Sequence, residues 1–341
     1  MQTELIRIMS AQDNPCGLEH IAQILREGGT VGIPTETVYG LAANAYDTAA
    51  VAKIFAAKGR PQDNPLIVHI SHMDMLPDVA RDIPEAAYRL ADAFWPGPLT
   101  MVLPRADRIP PMISAGLDTV AVRMPSNEVA RAVIDASELP LAAPSANISG
   151  RPSPTTAQHV IDDLGGKIDA IILSGECTVG VESTVVSLVG DRPRLLRPGG
   201  ITHEQLESVL GTVDIDGSVL SAEVKAKVSS PGMKYKHYSP KTKIVMVEGD
   251  SKAFCNYVNQ LTENCAAMCF AEDEQKIFVP TIVYGSAGDD MSQARELFDA
   301  LRLTDTLGVD VVYAHSPRKT GVGLAVYNRM LRAAAFEVIT L

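Results

Sequence analysis

Lys58 and Arg60 stand on either side of Gly59, with Pro61 next and an Asn64-Pro65 turn just beyond. Two cations placed like this either complement a helix C-terminus that stops at Gly and Pro, or face an anion. Their surroundings favour the anion. His69 sits inside the apolar run Leu66 to Ile70, and the run Thr30 to Ile33 stops at Pro34 and delivers Thr35, Glu36, Thr37 and Tyr39 before Gly40. Two strands whose connections carry hydroxyls, cations, an amide and an imidazole make an anion site, because ligands of open α/β sheets sit at the carboxyl ends of strands.

Arg123 lies within the apolar segment Val120 to Met124, which ends at Pro125. An unpaired buried cation is costly, so Arg123 either faces solvent or meets an anion, in a structural salt bridge or on a ligand carboxylate or phosphate. The run Leu139 to Ala143 leads into Pro144-Ser145-Ala146-Asn147 and on through Gly150, Arg151 and Thr156 to a helix, Ala157 to Leu164. Hydroxyls, an amide and free backbone N–H groups ahead of a helix suit a phosphate, and they equally suit an ordinary capped loop. Glu182, Ser183 and Thr184 precede the strand Val185 to Val189, and Arg197 stands at a strand-to-turn junction, where a cation can point into a cleft.

The elements that must position these groups are legible. Asp47 reads as an N-cap, with Val51, Ile54 and Phe55 at helical spacing, so a short amphipathic helix is expected over 48–58. Residues 18–26 and Pro84 to Phe94 read as further helices, and Thr202 with Gln205 forms a capping box for a helix ending near Leu210. Trp95-Pro96-Gly97-Pro98 is a rigid turn into the strand Leu99 to Leu103, with Trp95 a packing anchor. Beyond Lys241 the pattern alternates strand and helix to a last strand, Phe336 to Thr340, as in a small second α/β domain. Between the two, Met233-Lys234-Tyr235-Lys236-His237-Tyr238-Ser239-Pro240 alternates cations with aromatic rings. Such a linker could lie across a nucleotide or serve as a solvated basic tether.

At 341 residues and 46% hydrophobic, the chain suits two domains with ample core. No apolar h-region opens it and no apolar run reaches spanning length, so a cytoplasmic protein is expected. Five scattered cysteines without a CxxC pair favour neither a disulfide framework nor a zinc site. The net charge of -11 is uneven: residues 1–223 carry -12, 224–240 carry +4 and 241–341 carry -3. An acidic body argues against tight nonspecific nucleic-acid binding.

The motifs GxxxxGK[ST], GxSxG, HExxH and the EF-hand loop are missing, so P-loop, α/β-hydrolase and zinc-protease chemistry have no support. Pro34-Thr35-Glu36-Thr37-Val38-Tyr39-Gly40-Leu41, Lys58-Gly59-Arg60-Pro61, Asn64-Pro65-Leu66, Trp95-Pro96-Gly97-Pro98-Leu99-Thr100, Pro144-Ser145-Ala146-Asn147 and Pro231-Gly232-Met233-Lys234-Tyr235-Lys236-His237-Tyr238 occur in that order. Together they resemble the long, two-domain form of the threonylcarbamoyl-AMP synthase family. The resemblance implies a YrdC-like twisted mixed sheet with helices over residues 1–215, a linker over the active site at 216–240, and a smaller Rossmann-like α/β domain at 241–341.

It also implies a nucleotidyltransferase that converts L-threonine, bicarbonate or CO2, and ATP into threonylcarbamoyl-AMP and pyrophosphate. Mg2+ would accompany the ATP, with no metal ligands from protein side chains. A separate transferase would place the threonylcarbamoyl group on an adenosine of certain tRNAs. Carried over by position, Thr35, His69, Arg123, Ala143 and Ser183 would hold threonine. Lys58, Arg60, Asn64, Thr119, Ser145, Asn147, Arg151, Arg197 and Tyr235 would hold ATP, with Lys58 and Arg60 the catalytic cations. One alternative is a tRNA-binding module that makes no adenylate, against which the acidic body counts. Another is carbamoyl-adenylate chemistry on a different acceptor, which threonine dependence would separate.

Overall fold

A computed structural model describes residues 2–220 and 238–341. The first part runs β1 (Glu4–Arg7), α1 (Pro15–Arg26), β2 (Val31–Ile33), β3 (Gly40–Asn44), α2 (Thr48–Lys58), β4 (Ile67–His69) and α3 (Leu76–Val79). It continues through α4 (Glu85–Phe94), β5 (Leu99–Pro104), β6 (Thr119–Arg123), α5 (Glu128–Ser137), β7 (Leu141–Ala142) and α6 (Ala157–Leu164). It closes with β8 (Ala170–Leu173), β9 (Thr184–Ser187), β10 (Arg194–Arg197), α7 (His203–Leu210) and β11 (Asp214–Ile215). Its strands form one mixed sheet of eleven, in the order β1-β8-β2-β3-β7-β4-β6-β5-β9-β10-β11.

The expected caps form. Asp47 Oδ1 accepts from the N–H groups of Ala49 and Ala50 at 2.8 and 3.3 Å, and α2 stops at Gly59 with φ +61. Its buried stripe holds Val51, Ile54, Phe55 and, one turn on, Lys58. That spacing is what carries a lysine into the interior. Thr202 and Gln205 close the capping box of α7. Trp95 is buried in the main core and donates from Nε1 to the Leu99 carbonyl at 2.7 Å.

Five elements were not anticipated: β1, β3, α3, α5 and β11. β3 matters most, because it pairs antiparallel with β2 and turns Pro34 to Tyr39 into the connection between adjacent strands. Its sequence Gly-Leu-Ala-Ala-Asn lacks the β-branched residues that mark strands. The expected strand Leu139 to Ala143 shrinks to β7, because Pro140 and Pro144 bracket it.

The second part runs β12 (Lys243–Glu248), α8 (Ser251–Asn259), β13 (Cys265–Cys269), β14 (Thr281–Val283), α9 (Asp290–Leu303), β15 (Val311–His315), α10 (Gly323–Ala333) and β16 (Val338–Thr340). The five strands are all parallel, in the order β14-β13-β15-β12-β16. Alternate strand residues pack against α9 and α10 on one face and α8 on the other. Val38 and Val181 of the first domain join the α9 and α10 core, so the second domain sits on the loops that edge the first sheet. Most of the linker, with Tyr235, lies outside the described residues. Cys177, Cys255, Cys265 and Cys269 are buried and unbridged, and Cys16 is exposed and unbridged. Among the described residues no helix is long and apolar enough to cross a membrane.

Candidate active site

A cleft enclosing about 720 Å³, its open mouth included, lies where the Pro34 to Tyr39 connection, the end of α2, the ends of β4 and β6, and the loops after β7 and before β9 converge. Among the described residues it is lined by five cations and one acid: Lys58, Arg60, Arg123, Arg151 and Arg197 against Glu182. β4 and β6 are parallel with His69 opposite Arg123, so both side chains arrive from adjacent strand ends.

At one end, Arg123 meets Glu36 at 2.7 Å, both nearly fully buried, and donates from Nη1 to Thr37 Oγ1 at 2.9 Å. Arg123 Nε finds no acceptor among the described residues. Arg123 therefore does not face solvent: a structural salt bridge forms, and a buried donor is left over beside it that a ligand anion could take. Burial acts to raise the Glu36 carboxyl, but Arg123 outweighs it and holds the group below the usual range. Burial first, and then Arg123, push His69 down to about 3, so its imidazole is neutral. Thr35 Oγ1 donates to the Val38 carbonyl at 2.7 Å, and Ser183 Oγ pairs with Thr100 Oγ1 at 2.7 Å.

At the other end, Lys58 Nζ donates to the Ser145 and Asn147 carbonyls at 2.5 and 2.6 Å and lies 3.3 Å from Asn147 Oδ1. Burial, then the neighbouring Arg60, hold its pKa well below the ordinary lysine value. Arg60 donates to the Asn64 and Pro65 carbonyls, and burial foremost lowers it to about 10. Arg197 donates to the carbonyl and hydroxyl of Ser183 at 3.0 and 3.1 Å. Arg151 is tied to Asp163 at 2.8 Å, and α6 behind it is capped by Thr156. These cations rest on carbonyls and hydroxyls rather than on carboxylates, Arg151 excepted. An arriving polyanion would therefore find most of their charge unneutralised.

The fold thus gathers Thr35, Lys58, Arg60, His69, Arg123, Ala143, Ser145, Asn147, Arg151, Ser183 and Arg197 around one cleft. Asn64 does not line it but holds Arg60 through its carbonyl, and its own Oδ1 is buried without a partner among the described residues. Thr119 opens β6, at the far end of the strand from Arg123, and lines a neighbouring groove with Asp118, Arg192 and Asp214. The sequence reading placed Thr37 in the polar cluster and Tyr238 on the linker but assigned neither of them, nor Ser153 or Glu182, to a substrate. The hydroxyl-rich contexts of Thr37, Ser153 and Glu182 were visible signals. Tyr238 enters from the second domain's side, with φ +60 and its ring 5.3 Å from that of Phe298.

Residues 23–199 match the family described as telomere recombination, and residues 201–335 match that described as threonylcarbamoyl-AMP synthase, C-terminal domain. A Pyrococcus abyssi protein named threonylcarbamoyl-AMP synthase is 48% identical over 327 residues, covering 93% of this chain and 94% of that relative. A Bacillus subtilis protein of the same name is 46% identical over 323 residues, covering 93% of each. The crystal structure of Pyrococcus abyssi Sua5 complexed with L-threonine superposes with a TM-score of 0.91 at 42% identity, covering all of both chains.

Proposed function

The chain belongs to the threonylcarbamoyl-AMP synthase family in its two-domain form, and from that membership we propose how its cleft divides its substrates. L-Threonine occupies the end formed by Thr35, His69, Arg123, Ala143 and Ser183, with its carboxylate on Arg123. The observation that carries this is the buried Arg123 Nε, which has no acceptor among the described residues, beside a neutral imidazole. ATP runs from Lys58 and Arg60 past Ser145 and Asn147 to Arg151 and Arg197. Asn64 serves it by holding Arg60. Thr119 lies roughly 13 Å from Arg123 at about 3.3 Å per strand residue, a span that an extended nucleotide covers with its adenosine end. Tyr235, on the linker, is assigned to the same nucleotide.

The chemistry needs no triad. Threonine and CO2 give a carbamate, whose oxygen attacks the α-phosphorus as the bond to pyrophosphate breaks. A carbamate is a weak nucleophile, so the protein's work is to hold it in line and to stabilise charge moving onto the leaving pyrophosphate. Lys58 and Arg60 are placed for the second task. Burial and Arg60 lower the pKa of Lys58, and anionic phosphates beside it would act in the opposite direction and favour its charged form. Mg2+ is proposed to travel on the triphosphate, neutralising part of its charge. Among the described residues no cluster of His, Cys, Asp and Glu could hold a metal ion. The product would pass to a separate tRNA-modifying transferase, in the cytoplasm.

The test is pyrophosphate release from ATP with bicarbonate present, with and without L-threonine, and with serine as control. Release requiring both threonine and bicarbonate is expected. Release that serine supports equally would move the acceptor, and none from folded protein would overturn the reading.

A further inference from the structure

Among the described residues Glu182 is the one acid on a cleft wall of cations, and the group that neutralises it comes from the other domain. Arg329, in α10, is fully buried and donates from Nε to Glu182 Oε2 at 3.0 Å and from Nη2 to the Glu182 carbonyl at 3.2 Å. Its Nη1 donates to the Pro198 carbonyl. Ser153 Oγ donates to the remaining Glu182 oxygen at 2.6 Å. One guanidinium therefore grips the residue before Ser183 and the residue after Arg197. Arg197 is also close enough to Glu182 for each to perturb the other's proton affinity, yet its hydrogen bonds go to Ser183.

We propose that Arg329 is a positioning residue for the nucleotide end of the cleft, occupying Glu182 so that Arg197 stays free to meet phosphate. This rests on the assignment of Arg197 to ATP. Without Arg329, a buried carboxylate would be left with Arg197, the next cation after Arg329 to lower its proton affinity, and a buried ion seeks a partner because solvation is denied it. Glu182 would then compete with the nucleotide. The second domain would thus act in the reaction as the source of the counter-charge that keeps the first domain's cleft cationic.

The experiment compares Arg329→Met, Arg329→Lys and the double variant Glu182→Gln with Arg329→Met, in the full chain, with Arg197→Met as the reference. KM for ATP and kcat come from pyrophosphate release, and thermal melting is recorded in parallel. Arg329→Met is expected to raise KM for ATP about tenfold or more, the scale of one charge-assisted hydrogen bond. Adding Glu182→Gln should return KM to within about threefold of wild type although the ion pair is then gone altogether, since an uncharged amide competes for Arg197 far less than a buried carboxylate does. Arg329→Lys should fall between, because a point charge neutralises Glu182 but cannot span three acceptors. If Arg329→Met fails to fold, Arg329→Lys and the double variant carry the comparison. A double variant as impaired as Arg329→Met, or variants that melt lower with KM unchanged, would show a purely structural pair and overturn the proposal. An unchanged KM in Arg197→Met would overturn the ATP assignment beneath it, whereas a raised KM there beside an unaffected Arg329→Met would overturn the proposal alone.

Discussion

The guanidinium of Arg123 meets the carboxylate of Glu36 at 2.7 Å with both side chains 5% exposed, Arg123 arriving from the end of β6 and Glu36 from the connection between β2 and β3. Removing one partner of such a pair strands the other charge away from water. Glu36→Ala is expected to lower the unfolding free energy by about 3 to 5 kcal/mol, and Glu36→Gln by less, because the amide keeps a polar contact with Arg123. Urea denaturation at neutral pH measures both. A loss below about 1 kcal/mol for Glu36→Ala would mean that the pair is effectively solvated.

Lys58 carries the prediction closest to the chemistry. Lys58→Met should reduce turnover roughly 10²-fold to 10³-fold, the scale of one preorganised electrostatic donor. Its depressed pKa adds a pH signature. The free enzyme loses the Lys58 proton as pH rises through that lowered pKa, so kcat/KM for ATP should fall on the alkaline side earlier than kcat does. Identical alkaline limbs for the two parameters would remove Lys58 from nucleotide capture.

His69 makes a prediction about stability. Its pKa is depressed to about 3 in the folded state against 6.5 for an ordinary imidazole, so between those values the unfolded chain binds the extra proton. Stability from this group is therefore complete above about pH 6.5 and is lost as pH falls toward 3, by about 1.4 kcal/mol per pH unit in the steep part. Denaturation midpoints between pH 4.5 and 7.5 should slope in wild type and flatten in His69→Gln. Parallel slopes would show that other groups set the acid limb.

Local chemistry in this chain was legible and long-range pairing was not. Asp47 and the Thr202–Gln205 box announce their helices because a cap and its donors lie within four residues. The same spacing of Val51, Ile54 and Phe55 extends to Lys58, so a lysine on the buried stripe could be read from periodicity. That Arg123 would find Glu36, or Glu182 find Arg329 at 147 residues' remove, depends on strand order and on how two domains meet, neither of which leaves a local signal. The ordered motifs supplied the grouping that periodicity could not. Thr119 shows the limit from the other side, since its strand was expected but its distance from the cleft follows from strand direction alone.

Gly199 tests how closely the Ser183 loop must be held. A Cβ built there would lie 2.3 Å from the Thr184 nitrogen, 2.6 Å from the Glu182 carbonyl oxygen and 2.6 Å from the Ser183 carbonyl carbon. All three are backbone atoms, so no rotamer change relieves the clash, and either the start of β9 or the turn after β10 must move. Gly199→Ala should cost about 1 to 3 kcal/mol as overpacking. It should also weaken L-threonine binding at least tenfold, because a displacement of about 1 Å at a positioning residue can cost 10²-fold. Gly211→Ala is the matched control: its φ of +79 strains an alanine, but nothing lies within 4 Å of the added carbon and the site is remote from the cleft. That control should lose about 1 to 2 kcal/mol of stability and keep its affinity for threonine. Calorimetric titration of both variants separates the two effects. Wild-type affinity in a destabilised Gly199→Ala would mean that Ser183 is not what the close packing of Gly199 holds in place.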